Sequence, residues 1–410
     1  MRILLHTGKG GVGKTTVSAL TGIAAAARGA STLVLSTDPA HSLADVLSTP
    51  VGPDPAPVEG APGLFAAQVD TRIRLEQAWS AIRGYLVGVL AARGMAEVQA
   101  EELTELPGAE EVLALLEVRR HAESGRFDAI VVDCAPSGET LRLLALPETV
   151  SFYAERLMGT SRRVLRSVAA SLVGGPGAPR GEVRDALGVL LSELSVARAM
   201  LTDPSTSSVR LVLTPDRVVL AEARRLHTAL TLYGYAVDAV CVNRVLPADA
   251  GGRFLSGWRA AQREVLSDIQ ESFGAARIHR IAMTPSEPVG VAMLAELAGS
   301  VFQNIDPLAP ASSQPAMSVV ADGDGYRLSL PLPNVDRSEV ELARSGDDLL
   351  VTLGSVRRRI ALPSVLRRCT TVGAALEDQE LQIDFRPDPA VWPSVLADDG
   401  IPRVASGGAR

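Results

Sequence analysis

Two lysines and a run of glycines near the amino terminus are the residues best suited to chemistry. Gly8-Lys9-Gly10-Gly11-Val12-Gly13-Lys14-Thr15-Thr16 has the spacing GxxxxGK[ST], which cradles nucleotide phosphates when it follows a strand and opens a helix. Gly10, Gly11, Val12 and Gly13 bring backbone N–H groups close to phosphate oxygens, and the helix amino terminus behind them favours an anion. Lys14 then serves the β- and γ-phosphates, the Thr15 hydroxyl serves Mg²⁺, and Thr16 completes the cradle. The chain has 40 basic residues, and all but Lys9 and Lys14 are arginine. Chance rarely puts both lysines of a chain in one short window. A compact ammonium enters a crowded phosphate cradle that a planar guanidinium does not, so site chemistry accounts for the pair.

The elements that position this loop follow from hydrophobic patterning. Residues 2–7 read as a buried strand, and Val17, Leu20, Ile23 and Ala24 recur at helical spacing just after the loop. Further apolar strands are expected at residues 31–35, leading to Asp38, and at 127–132, ending in Asp133. A carboxylate at the end of such a strand reaches Mg²⁺ directly or through water. Strands at 209–214 and 237–242 follow, the second delivering Asn243. Taken without their context, Asp38 in Asp-Pro reads as a helix cap and Asn243 as a turn residue. Strands alternating with helices over residues 1–306 predict an α/β fold, a mostly parallel sheet covered on both faces, with nucleotide at the carboxyl ends of its strands.

The loop Lys9-Gly-Gly-Val-Gly-Lys14-Thr resembles the deviant Walker A loop of the arsenite-pump and tail-anchored-protein-targeting ATPases. The resemblance continues in Ser36-Thr-Asp38-Pro-Ala-His-Ser42-Leu, similar to that family's first switch, and in Asp133-Cys-Ala-Pro-Ser137-Gly-Glu-Thr-Leu-Arg142, similar to its second switch. Cys134 and Glu139 stand where the family often has Thr and His. Pro107-Gly-Ala-Glu-Glu111 and the Glu222-Ala-Arg-Arg-Leu226 helix also resemble family elements. The resemblance implies a homodimeric, ATP- and Mg²⁺-dependent P-loop ATPase. Lys9 then reaches across the dimer to the partner's nucleotide, Asp38 orients or deprotonates the attacking water, and Asn243 reads the adenine edge. Cys134 is expected to be a small buried residue rather than an iron–sulfur ligand.

Composition narrows the possibilities. With 47% hydrophobic and 21% charged residues the chain supports a packed core. A net charge of −7 argues against a general nucleic-acid-binding surface. The longest apolar run, Tyr85–Ala92, is too short to span a bilayer, and the apolar amino-terminal stretch is too short for a secretion signal, so a cytoplasmic location is expected. Cys134, Cys241 and Cys369 lie far apart with no CxxC pair, so no direct zinc or arsenite site is expected.

A helical insertion around residues 150–205 carries two apolar stripes. One has Leu157, Val164, Leu165, Val168 and Leu172, opposed by Arg162, Arg163 and Arg166. The other has Val183, Leu187, Leu190, Leu191, Leu194 and Leu201. In the targeting branch of the family this region forms a groove for hydrophobic polypeptides, but periodicity alone fits ordinary core equally well. The arginine face also leaves transient contact with a membrane surface open.

A proline-rich linker at residues 307–317 precedes a change of period. Short alternating strands over residues 318–387 predict a β-sandwich, and 388–410 read as a flexible tail. Leu330-Pro-Leu-Pro333, Asp347–Gly354 and Val356–Pro363 resemble the α-crystallin-like domain of small heat-shock proteins; an unrelated β-module buttressing the dimer is the alternative. The favoured reading is an ATP cycle that opens and closes a surface for hydrophobic polypeptide. The alternatives are a nucleotide-dependent switch or scaffold acting through the β-domain, and a pump-driving ATPase for arsenite.

Overall fold

The computed structural model describes residues 1–38, 42–69, 109–145, 192–274, 276–310 and 317–392. In chain order the first part comprises β1 (Arg2–Thr7), α1 (Lys14–Ala26), β2 (Thr32–Ser36), α2 (Ser42–Leu47), β3 (Ala56–Pro57), β4 (Leu64–Gln68), α3 (Ala109–Glu123) and β5 (Ala129–Asp133). It continues with β6 (Ser207–Leu213), α4 (Arg217–Leu232), β7 (Val237–Val245), α5 (Arg253–Phe273), β8 (Arg277–Ala282) and α6 (Val291–Phe302). Residues 137–145 and 192–202 are also helical.

These strands form one sheet in the order β3-β4-β2-β5-β1-β6-β7-β8. Every neighbouring pair is parallel except β3 with β4. Every residue of β1, β2, β5 and β6 is buried, as a sheet covered on both faces requires. Side chains alternate between two cores. Leu33, Leu35, Ile130, Val132, Leu211 and Leu213 face α3, α4 and α5, while Val34, Val131 and Val212 face α1 and α6.

The strand bounds differ from the sequence reading in instructive ways. β6 begins at Ser207 rather than Val209, because the buried Ser208 hydroxyl accepts from Arg2 at 2.8 Å. β7 runs on to Val245 after a register irregularity, so Asn243 lies within a strand. The fully buried Arg210 on β6 pairs with Asp238 at 3.3 Å and donates to the Pro307 carbonyl at 2.6 Å. Arg2 approaches the same carboxylate at 3.5 Å. Removing Asp238 leaves two buried cations uncompensated, which is costly.

Residues 146–191, and with them most of the expected helical insertion, lie outside the described residues. Its described end is informative: Leu194 and Leu201 are 1% and 2% exposed and pack into the core below the sheet. Among the described residues no helix is long and apolar enough to cross a membrane.

The carboxyl-terminal part holds β9 (Ser318–Asp322), β10 (Gly325–Pro331), β11 (Val340–Ser345), β12 (Asp348–Leu353), β13 (Val356–Ala361), α7 (Ser364–Arg367), β14 (Cys369–Glu377) and β15 (Glu380–Pro387). They form two antiparallel sheets, β14-β15-β10-β9 and β11-β12-β13. Leu328, Leu330, Leu349, Val351, Ile360, Leu381, Ile383 and Phe385 fill the space between them. Two details alter the expected boundaries. Pro307, the first linker residue, is clamped by Arg210, and Trp392, expected in the tail, stacks near Tyr326 at 6.0 Å. Residues 393–410 lie outside the described residues.

The two parts share α4. Leu232, at its carboxyl end, belongs to the core of the β-domain. Thr228 donates to the Pro333 carbonyl at 2.5 Å, and the Arg358 guanidinium donates to the Leu232 carbonyl.

Candidate functional site

The glycine loop joins β1 to α1 at the carboxyl edge of the sheet, where ligands of such folds gather. Gly13 caps α1 in the left-handed region, at φ 89°. A Cβ there lies 2.4 Å from the Asn243 amide nitrogen, so only glycine fits. A Cβ on Gly10 or Gly11 instead meets nothing within 4 Å, leaving room beside the loop amides. No acidic residue occupies the first turn of α1. Open space beside loop amides at an unopposed helix amino terminus suits a phosphate group.

Lys14 is 6% exposed, and its ammonium donates to the Lys9 carbonyl at 3.3 Å, so it lies along its own loop. Lys9 behaves differently. Its side chain is 37% exposed and reaches Glu222 on α4, with Nζ 3.6 Å from Oε2. The loop therefore separates an inward lysine from an outward one. The Thr15 hydroxyl hydrogen-bonds the Ser42 hydroxyl, at 2.9 Å, at the start of α2. Thr16 follows it in α1, and Val12 is buried beneath the loop.

Asp133 ends β5 and is fully buried. Its oxygens accept from Ser18 at 3.5 Å and Ser36 at 3.4 Å. Burial pushes its pKa up to about 7, and the neighbouring charge of Asp38 adds to the rise; Thr15, Lys14 and Ser36 oppose it. A buried carboxylate beside a threonine hydroxyl, short of positive charge, fits a divalent cation bound directly or through water. Asp38 stands two residues beyond β2, its backbone N–H donating to Ser36 Oγ at 3.3 Å. Cys134 is buried, and its surroundings hold the thiol well above its ordinary range. Among the described residues no group of His, Cys, Asp and Glu side chains forms a metal cluster.

Asn243 takes part in the loop itself. Its amide donates to the Val12 carbonyl at 2.9 Å, and its oxygen accepts from the Arg244 N–H, also at 2.9 Å. The structure thus places it as a brace under the loop, with both ends of the amide engaged. The segment after β5 is tied to the same place, since Ser137 N donates to the Gly8 carbonyl at 3.1 Å and Ser137 Oγ to Glu222 Oε1 at 2.6 Å. The joint role of Glu222 and Ser137 was not legible in the sequence, because their partners come from distant strands. The hydroxyls of Ser18 and Ser36 around Asp133 were missed for the same reason.

A parallel sheet with a glycine loop at the tip of its central strand, a lysine at the helix start and a buried aspartate on the adjacent strand defines a P-loop nucleotide hydrolase. Within that class the chain belongs to the anion-transporting ATPase family, whose profile matches residues 1–303, and it is an ATP hydrolase. Residues 323–385 match the HSP20-like domain found in ArsA. A putative arsenical pump-driving ATPase of Chlorobaculum tepidum is 35% identical over 390 residues, covering 94% of this chain and 96% of that protein. Protein Rv2184c of Mycobacterium tuberculosis is 38% identical over 418 residues, covering 96% and 98%. The ATPase GET3 of Rhodotorula glutinis is 32% identical over 241 residues, covering 58% of this chain and 68% of its own.

Proposed function

We propose that the chain works as a homodimeric Mg-ATPase whose cycle opens and closes a surface for hydrophobic polypeptide. The observation that supports the dimeric reading is the split of the chain's lysines into one lying along its own phosphate cradle and one, 37% exposed, turned away from that cradle toward Glu222. The loop amides, Lys14 and Thr16 hold the triphosphate, while Thr15 and Asp133 hold Mg²⁺. That ion, when bound, offsets charge on the phosphate oxygens. Asp38 orients the water that adds to the γ-phosphorus and takes up its proton, as the bond to the β–γ bridging oxygen breaks and ADP and phosphate form. Lys9 of one subunit stabilises that charge on the nucleotide of the other, as an arginine finger does in trans. Asn243 fixes the loop, and reading the adenine edge would require its amide to release the Val12 carbonyl or the Arg244 N–H.

The name of one relative, an arsenical pump-driving ATPase, raises the question of a metalloid. The three cysteines here are each buried in a different core, around Cys134, Cys241 and Cys369. Binding a soft metalloid takes clustered thiolates. Hydrophobic polypeptide is therefore the favoured cargo. Binding of an apolar helical peptide of about 20 residues, measured by fluorescence anisotropy with ATP, ADP or neither, tests it. Nucleotide-dependent affinity supports the reading; indifference to nucleotide rejects it.

A second reading is favoured by the shared helix α4, whose end lies in the core of the β-domain. In it the cycle acts on a protein partner through that domain. Peptide binding that survives Leu232→Ala unchanged argues against this second reading.

A further inference from the structure

Glu222 divides its carboxylate between two parts of the nucleotide site. Oε1 accepts from the Ser137 hydroxyl at 2.6 Å, and Oε2 faces the Lys9 ammonium at 3.6 Å. Ser137 in turn donates its backbone N–H to Gly8, the residue before Lys9. The loop, the segment following Asp133 and α4 are thus closed into a ring through one side chain. In this arrangement Lys9 is committed to its own subunit and faces away from the cradle its loop builds. The pair is partly solvated, with 37% and 28% of the two side chains exposed, so it is weak and exchangeable. A triphosphate carries several negative charges against the single charge of a carboxylate and displaces it.

The post holding the lysine is itself fixed. Along its length α4 is held by Leu220, Leu226 and Leu230, buried in the core beneath the sheet, and at its carboxyl end Leu232 is embedded in the β-domain. Release therefore falls to the loop rather than to the helix.

We propose that Glu222 is a positioning residue that parks Lys9 in the resting subunit and yields it to the triphosphate of the partner when the dimer closes. The proposal rests on the trans role of Lys9. It adds a resting state to that role: nucleotide-driven closure must break an intramolecular ion pair, which restrains closure in the absence of bound triphosphate.

The test uses the full chain carrying Glu222→Gln, which keeps an oxygen for Ser137 and removes the charge. Lys9 and Lys14 are the only lysines, so amine acylation followed by peptide mass spectrometry reads them separately. Without nucleotide, the variant is expected to acylate Lys9 several-fold faster than the wild type, with Lys14 unchanged. With a nonhydrolysable ATP analogue it is expected to dimerise at several-fold lower protein concentration in sedimentation. In the wild type, raising salt is expected to speed acylation of Lys9 but not of Lys14, a readout that needs no variant to fold. Acylation of Lys9 unaffected by both salt and Glu222→Gln overturns the proposal, as does unchanged dimerisation. If Lys9→Arg turns over ATP normally, the underlying trans reading fails instead, which separates the two outcomes.

Discussion

Replacing Asp133 by Asn should make the nucleotide-free protein more stable while abolishing turnover. The carboxyl is fully buried, and its pKa is raised from 3.8 to about 7, chiefly by burial. A carboxyl whose folded value lies above its unfolded value contributes stability below the unfolded value and loses it as pH rises through the folded one. At about 1.4 kcal/mol per unit, the loss approaches roughly 4 kcal/mol above pH 7. Asn has the same shape, offers Ser18 and Ser36 hydrogen-bonding partners, and has no charge to desolvate. Its advantage over the wild type should therefore grow by about 2 kcal/mol between pH 5.5 and 8.5. Urea unfolding of both proteins at the two pH values, without nucleotide or divalent ions, measures this directly. An advantage that is flat with pH, or a variant less stable at pH 8.5, refutes the claim that Asp133 stores an unpaired charge for a cation. Added Mg²⁺ and ATP should stabilise the wild type at pH 8.5 far more than the variant.

Other outcomes follow from the same geometry. Lys14→Arg should abolish tight ATP binding in calorimetry, whereas Lys9→Arg should leave binding within a few-fold and cripple turnover. Leu232→Ala removes a fully buried side chain shared by both domains and should cost about 2–5 kcal/mol; a thermal midpoint equal to that of the wild type would contradict the docking. All three cysteines are buried, and burial pushes Cys241 up to about 12. A thiol reagent should therefore react slowly with the native protein and rapidly in denaturant, and equal rates would show the cores to be open.

The phosphate loop was legible because its residues are contiguous and each has a local physical reason. Gly13 adopts a conformation closed to other residues, and Lys14 opens a helix. The sheet was legible because strands such as Ala129–Asp133 are apolar on both faces. Its edges were less so. Ser207 and Ser208 look like loop residues until Arg2 is seen to satisfy the buried Ser208 hydroxyl, and Asn243 looks like a strand end until β7 is seen to continue past an irregularity. Arg210 could not be read as core, since a buried guanidinium depends on Asp238 and the Pro307 carbonyl, which only the fold brings near. The pairing of Lys9 with Glu222 was hidden for the same reason, joining the first strand's loop to a helix five strands later in the chain. In the β-domain, by contrast, alternation of Tyr326, Leu328 and Leu330 with Arg327 and Ser329 announced both the strand and its buried face.

The claim that Lys9 acts on the neighbouring subunit's nucleotide has a direct test in mixing two inactive proteins. A Lys9→Met subunit keeps its cradle but offers no outward lysine, and a Lys14→Met subunit offers Lys9 but holds no nucleotide. If the lysine works in trans, an equal mixture forms mixed dimers with one complete site each, and ATP turnover should recover to about a quarter of the wild-type rate. Turnover that stays at the level of the separate variants, under conditions where sedimentation shows mixed dimers, would contradict the account.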